Sequence, residues 1–272
     1  MHDRGRPVPK SVTHPADLDL VFAAGPDGTW LKRRRASYPY ALTGIYPPRK
    51  RGLTVMPQSV SGGLFGGENM IERVRANGGA IARVHDQGAR TCHASREHGP
   101  ARVSRILRGE TGAVLNWYGQ PSVLLPGSET ELRTEISVSA DACVICSEVF
   151  GYHQPHSEPA RAARLRSHMR ILRDGAGVVA ENAADIALSP RSPGWFATLI
   201  LVLNDPARAT DVLSGLDDET VPEGLALGID RLPGEAGLIV MATGDHAGTL
   251  TGHVHRLQSF MERRTVQAQI GG

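Results

Sequence analysis

The chain has 272 residues, 40% hydrophobic and 21% charged, a composition that excludes intrinsic disorder and leaves room for one large domain or two small ones. Lys and Arg total 30 against 28 acidic residues, a net charge of +2, which gives little long-range pull on polyanions and argues against a dedicated nucleic-acid binder. The longest apolar run, Trp195 to Leu203, is too short to cross a bilayer as a helix; with a polar start and three cysteines, Cys92, Cys143 and Cys146, the expectation is a cytoplasmic protein without a membrane partner.

Residues 1–14 read as a loose tail, 15–265 as a single domain and 266–272 as a C-terminal tail. Two basic runs come first, Lys32 to Arg35 and Arg49 to Arg51, with Tyr38, Tyr40 and Tyr46 between them. Such a strip can bind nucleic acid, but the near-neutral balance favours a solvated face or a protein-docking edge. A strand over 52–60 leads into Gly62, Gly63, Leu64, Phe65, Gly66, Gly67 and Glu68. The segment lacks the Gly-Lys-Ser/Thr ending of a phosphate loop and the spacing of a dinucleotide fingerprint. Paired glycines permit positive φ and close backbone approach, so a tight turn is expected.

Strict alternation follows. Leu132, Thr134, Ile136 and Val138 share one side of a strand, with Glu131, Arg133, Glu135 and Ser137 on the other. Cys143 and Cys146 form a lone Cys-x-x-Cys on an apolar strand, where residues three apart point to opposite faces, so both read as small buried hydrophobes. His153, His156 and Glu158 lie in a proline-bounded loop, a weak metal-binding cluster, as is Cys92-His93 with His98. Leu165, Ser167, Met169 and Ile171 alternate again, and Asp174-Gly175 turns the chain into a further strand. After Trp195 to Leu203, Asp205-Pro206 caps a helix whose face carries Ala209, Val212, Leu213 and Leu216. Strands over 225–229 and 238–242 precede a last helix with Leu250, Val254, Leu257 and Met261 at helical spacing. The sum is a mainly β chain with two helices in its last third. No nucleophile elbow or zinc helix is present.

The order of these motifs resembles the UreD/UreH family of urease accessory proteins. The glycine-rich segment ending in Glu68 is similar to the family's Gly-Gly-x-Val-Gly-Gly-Asp, and 113–127, with Trp117, Gln120 and Pro126-Gly127, to its Leu-Glu-Trp-Leu-Pro-Gln run. Residues 130–148 match a charged strand followed by an apolar one ending in an acid, and 178–181 a strand carrying Glu181. Departures are Glu68 for aspartate, Cys92-His93-Ala94 for Lys, an aromatic and Arg, Ser147 for a common Trp, and His153-Gln154 for Gly-Arg.

The resemblance implies a right-handed β-helix-like stack of strands with two α-helices. It implies a non-catalytic scaffold that docks the UreF/UreG GTPase complex onto apo-urease and assists nickel insertion. Glu68, Glu148 and Glu181 match acidic positions linked to a nickel conduit, so nickel passes transiently and no cofactor is held. The competing expectation is a β-helical enzyme acting on carbohydrate, which would set two carboxylates across an open cleft.

Overall fold

The structure, a computed structural model, describes residues 16–49, 51–86, 88–139, 141–155, 161–175, 177–190, 194–217 and 219–270. The expected N-terminal tail, Lys50, His156 and Glu158 lie outside the described residues. Fifteen strands come first. They are β1 (Ala16–Gly25), β2 (Gly28–Ala36), β3 (Tyr40–Arg49), β4 (Gly52–Ser59), β5 (Asn69–Ala76), β6 (Ile81–His85), β7 (Arg90–Cys92), β8 (Ala101–Gly109), β9 (Val114–Tyr118), β10 (Pro121–Leu124), β11 (Glu129–Val138), β12 (Cys143–Tyr152), β13 (Ala163–Arg173), β14 (Gly177–Leu188) and β15 (Trp195–Leu203). Then come α1 (Pro206–Asp217), β16 (Leu225–Arg231), β17 (Gly237–Gly244) and α2 (Ala247–Ile270).

The strands form two sheets. A seven-stranded sheet runs β14-β13-β11-β8-β5-β1-β2, and a ten-stranded sheet runs β16-β17-β15-β12-β9-β6-β4-β3, with β10 beside β12 and β7 beside β10. From β4 to β13 the chain alternates between them. Within the seven-stranded sheet β5, β8, β11 and β13 stack in parallel, and within the other β4, β6, β9 and β12 do the same. This is the stacked, solenoid-like β architecture that the family resemblance implies, with the two helices where the 3.6-residue period placed them.

Two apolar layers hold it together. The first lies between the sheets and includes Leu18, Val74, Leu107, Trp117, Ile136, Val144 and Met169. The second lies between the ten-stranded sheet and the helices, with Ile145, Leu199, Val212, Leu250, Leu257 and Met261. Strand β12 belongs to both layers, and nine of its ten residues are buried. Cys146 faces the first layer and Cys143 the second, so the pair cannot chelate. Burial pushes the Cys143 thiol up to about 12 and that of Cys146 higher still.

The helices are seated by polar contacts as well. Asp205 accepts a hydrogen bond from the Arg208 amide at 3.0 Å, capping α1. On α2, Glu262 receives Arg83 Nε at 2.5 Å, Asn116 Nδ2 at 2.7 Å and the Tyr118 hydroxyl at 3.1 Å, while Gln258 donates to the Trp117 carbonyl at 2.8 Å. These contacts fix which turn of α2 lies over which strand. The helix continues past residue 265, because Val266 extends its apolar stripe into the second layer.

Leu257 is 1% exposed in that layer. Leu257→Ala removes buried methyl groups from a packed site and is expected to cost about 2–5 kcal/mol. Urea unfolding checks it; a loss below about 1 kcal/mol would mean that α2 is not held by this stripe.

Candidate functional site: a charged cavity between the sheets

The buried charges of the seven-stranded sheet fall in one row of its inner face. Parallel register sets Leu18 beside Glu72, Glu72 beside Arg105, Arg105 beside Thr134 and Thr134 beside Met169. All five side chains point inward and are buried. Glu72 Oε2 receives Arg105 Nε at 2.8 Å, and its Oε1 receives Arg90 Nη2 at 2.8 Å and the Tyr40 hydroxyl at 2.7 Å. Arg105 lies over the Trp117 ring, 4.3 Å from its centroid. Its Nη1 is 3.6 Å from Glu148 Oε1, and its Nη2 is 4.0 Å from Asp86 Oδ2. Thr134 donates to Glu148 Oε1 at 2.5 Å.

Of these groups Tyr40, Asp86, Arg90, Arg105 and Glu148 line a cavity of about 220 Å³ together with Cys92, Gly119 and Gln120, and Glu72 braces its two guanidinium groups. One wall is the glycine-rich segment, through Gly62, Gly63 and Leu64. Leu64 bridges to Cys92, with its amide donating to the Thr91 carbonyl at 2.7 Å. The glycines explain the closeness of that packing. A Cβ on Gly63, whose φ is +137°, would meet the Thr91 carbonyl oxygen at 2.4 Å, and one on Gly66 would meet the Ser95 backbone at 2.5 Å. Gly62 has open space beside it, and Gly67 takes φ +79° in the turn. His93 stacks on Phe65, with ring centroids 4.3 Å apart, and holds the Gly62 carbonyl at 3.0 Å.

The UreD urease accessory protein family matches this chain over residues 14–270. The chain belongs to that family. Curated relatives agree along most of their length. Urease accessory protein UreD 1 of a Bradyrhizobium strain is 28% identical over 243 residues, covering 87% of this chain and 85% of the relative. UreD 3 of another Bradyrhizobium strain is 29% identical over 231 residues, 81% of each chain. UreD 1 of Methylorubrum extorquens is 28% identical over 271 residues, covering 90% and 88%. All three carry the name of accessory proteins.

Within this UreD chain the expected acidic residues fall in three different places. Glu148 lines the cavity. Glu68 turns its carboxylate back on its own loop and accepts the Phe65 amide at 2.9 Å. Glu181 stands on the outer face of the seven-stranded sheet, about half exposed, paired with Arg170 Nε at 3.0 Å. His153 donates its amide to the Leu124 carbonyl in the loop after β12. Among the described residues no three His, Cys, Asp or Glu side chains gather closely enough to hold a metal ion.

The sequence reading passed over Glu72, Asp86, Arg90, Arg105 and the inward role of Tyr40. A signal existed. In β5 the inward series is Met70, Glu72, Val74, Ala76, and in β8 it is Ala101, Val103, Arg105, Leu107. Each apolar series holds one charge, and the two are opposite in sign.

The ion cluster beside the cavity sets three carboxylates, of Glu72, Asp86 and Glu148, against two guanidinium groups, of Arg90 and Arg105. Their environments separate them. Burial works to raise Glu72, but Arg105 and Arg90 outweigh it and hold the carboxyl at about 2. Burial pushes Asp86 up to about 6, with Arg90 opposing and Glu72 reinforcing. Burial also lifts Glu148, against Arg105 and Thr134. Glu72 is thus held as the anion, while burial favours the protonated form of Asp86 and Glu148.

Two outcomes follow for stability. Glu72→Gln removes the carboxylate that accepts from both guanidinium groups and is expected to cost about 3–5 kcal/mol by denaturant unfolding near neutral pH. For Asp86 the folded form binds its proton more tightly than the unfolded form, so stability falls as pH rises from about 4 through about 6. Asp86→Asn is therefore expected to stabilise at pH 7.5 by about 1–3 kcal/mol, with the gain fading toward pH 4. A gain that does not vary with pH, measured by thermal melts, contradicts the assignment.

Proposed function

We propose that this UreD chain is a scaffold without turnover of its own, which brings the UreF/UreG GTPase complex to apo-urease and passes nickel through the cavity between its sheets. The observation that carries the reading is the excess of one carboxylate over guanidinium groups in the ion cluster whose Asp86 and Glu148 line that cavity. A recess beside a cluster with an uncompensated carboxylate attracts a cation. Carboxylate oxygens are moderate ligands for nickel, and a route needs sites weak enough to leave. Of the three acidic residues matched to the family, Glu148 is the one that faces the cavity, so it is assigned the ion together with Asp86. Glu68 holds the shape of the glycine-rich wall, and Glu181 serves the outer ion pairs. The reading places the protein in the cytoplasm, where urease is assembled.

Carbohydrate hydrolysis would need two carboxylates across an open cleft. Here Asp86 and Glu148 both face Arg105 between the sheets.

The test pairs activation with assembly. Glu148→Gln and Asp86→Asn are expected to lower activation of apo-urease by about tenfold or more while co-purification with UreF and UreG persists, the loss expected when an interaction on the ion's path is removed. Glu181→Ala is expected to leave activation within about twofold, as an exposed ion pair contributes little. Equal loss of assembly and activation in the cavity variants, or full activation without this chain, overturns the proposal.

A further inference from the structure

The outer face of the seven-stranded sheet is covered with charge, and the two ends of that cover differ. Over β11, β13 and β14 the cations are matched. Arg166 meets Glu131 at 3.0 Å, Arg164 meets Asp185 at 2.6 Å, and Arg170 meets Glu181 at 3.0 Å. Over β2, β1, β5 and β8 the balance fails. Register sets Arg33 beside Val21, Val21 beside Arg75, and Arg75 beside Arg108. A groove of about 460 Å³ runs there, lined by Lys32, Arg33, Arg73, Arg75 and Arg108 against Asp19 and Glu135.

Three of these arginines have acidic neighbours. Arg33 meets Asp19 at 3.0 Å, Arg73 meets Asp17 at 2.9 Å, and Arg75 lies 3.7 Å from Glu110. Among the described residues Lys32 and Arg108 have no carboxylate within 4.0 Å. The basic run at the start of the sequence explains part of this. Pairing of β1 with β2 slips between Val21 and Phe22, leaving Lys32 as an extra residue beside Arg33. Such a bulge re-aims side chains, and both residues line the groove.

We propose that this groove binds an extended acidic segment of a partner protein. Cations two residues apart on one strand, such as Arg73 and Arg75, repeat at about 6.5–7 Å, the repeat of same-side carboxylates on an extended chain. The floor is aliphatic, with Val21 and Ile106, and no aromatic side chain lines it. A single-stranded nucleic acid would use aromatic platforms for its bases, so an acidic polypeptide fits better than a polynucleotide. Asp19 and Glu135 repel the segment locally and help to set its register. The groove lies on the opposite side of the sheet from the cavity, so this inference does not rest on the route proposed for nickel.

The experiment uses the full chain and two probes, a short poly-L-glutamate and a single-stranded DNA oligonucleotide of equal charge. Fluorescence anisotropy is read at about 20 mM and about 200 mM salt, which brackets strong and weak screening. Poly-L-glutamate is expected to bind more tightly than the DNA and to lose about tenfold or more in affinity at the higher salt. R75E/R108E is expected to weaken poly-L-glutamate at least about tenfold at low salt, with an unchanged melting temperature. R164E, at the matched end of the same face, is expected to change it by less than about twofold. Tighter binding of DNA makes the groove a nucleic-acid site and overturns the proposal. So does absence of poly-L-glutamate binding at low salt, or an equal loss in R164E.

Discussion

The buried pair of Glu72 and Arg105 is the constraint on which the rest of the structure depends. The two residues sit on neighbouring parallel strands, face the same way and meet at 2.8 Å with almost no solvent. Charges taken out of water at such cost persist only where partners are in place on every side. Arg90 and Tyr40 complete the shell of Glu72, and Trp117, Glu148 and Asp86 complete that of Arg105. A one-residue slip of either strand would turn its charge to the outer face and leave the other buried and alone. An apolar core of leucine and valine tolerates several registers, whereas this one excludes all but one.

The same pair explains why there is a cavity at all. Guanidinium and carboxylate groups that satisfy each other between two sheets cannot also fill the space as leucines would. Room is left around Arg105, and the glycine-rich segment closes it from the side. That closure needs backbone to approach backbone, which is why Gly63 and Gly66 have no space for a Cβ. Site and wall are thus consequences of one packing problem. The leftover carboxylate is its chemical residue: two arginines neutralise Glu72 and part of the rest, and burial leaves Asp86 at about 6.

Much of the fold was legible in the sequence because period two is a local property. β11 and β13 could be read residue by residue, and the stripe of Leu250, Val254, Leu257 and Met261 announced α2. The opposed directions of Cys143 and Cys146 followed from the same rule. The cavity was less legible because it is made by stacking. Glu72 and Arg105 are 33 positions apart and become neighbours only when one coil of the solenoid lies on the next. Glu68 shows the converse. An acid at the end of a glycine-rich segment looks available for chemistry, but its carboxylate is satisfied three residues back by the Phe65 amide. Glu181 could be placed on a strand from the sequence, yet its face depends on the bulge in the β13–β14 pairing between Ile171 and Leu172.

Strand β8 states the physical lesson most economically. Its inward residues are Ala101, Val103, Arg105 and Leu107, and its outward ones include Arg102 and Arg108. Three arginines on nine residues therefore live under different electrostatics. Arg105 acts through a medium in which an opposite charge at 4 Å is worth several kcal/mol, and it organises the core. Arg102, half exposed, meets Glu131 at 3.0 Å on the outer face, where a surface pair is worth about 1 kcal/mol or less. Among the described residues Arg108 has no such neighbour, so its field extends into solvent until ions screen it within about 8–10 Å. A residue type by itself assigns none of these roles. What assigns them is the face of the strand and the charge on the next strand over, and in a stacked fold both are set by the coil above and the coil below.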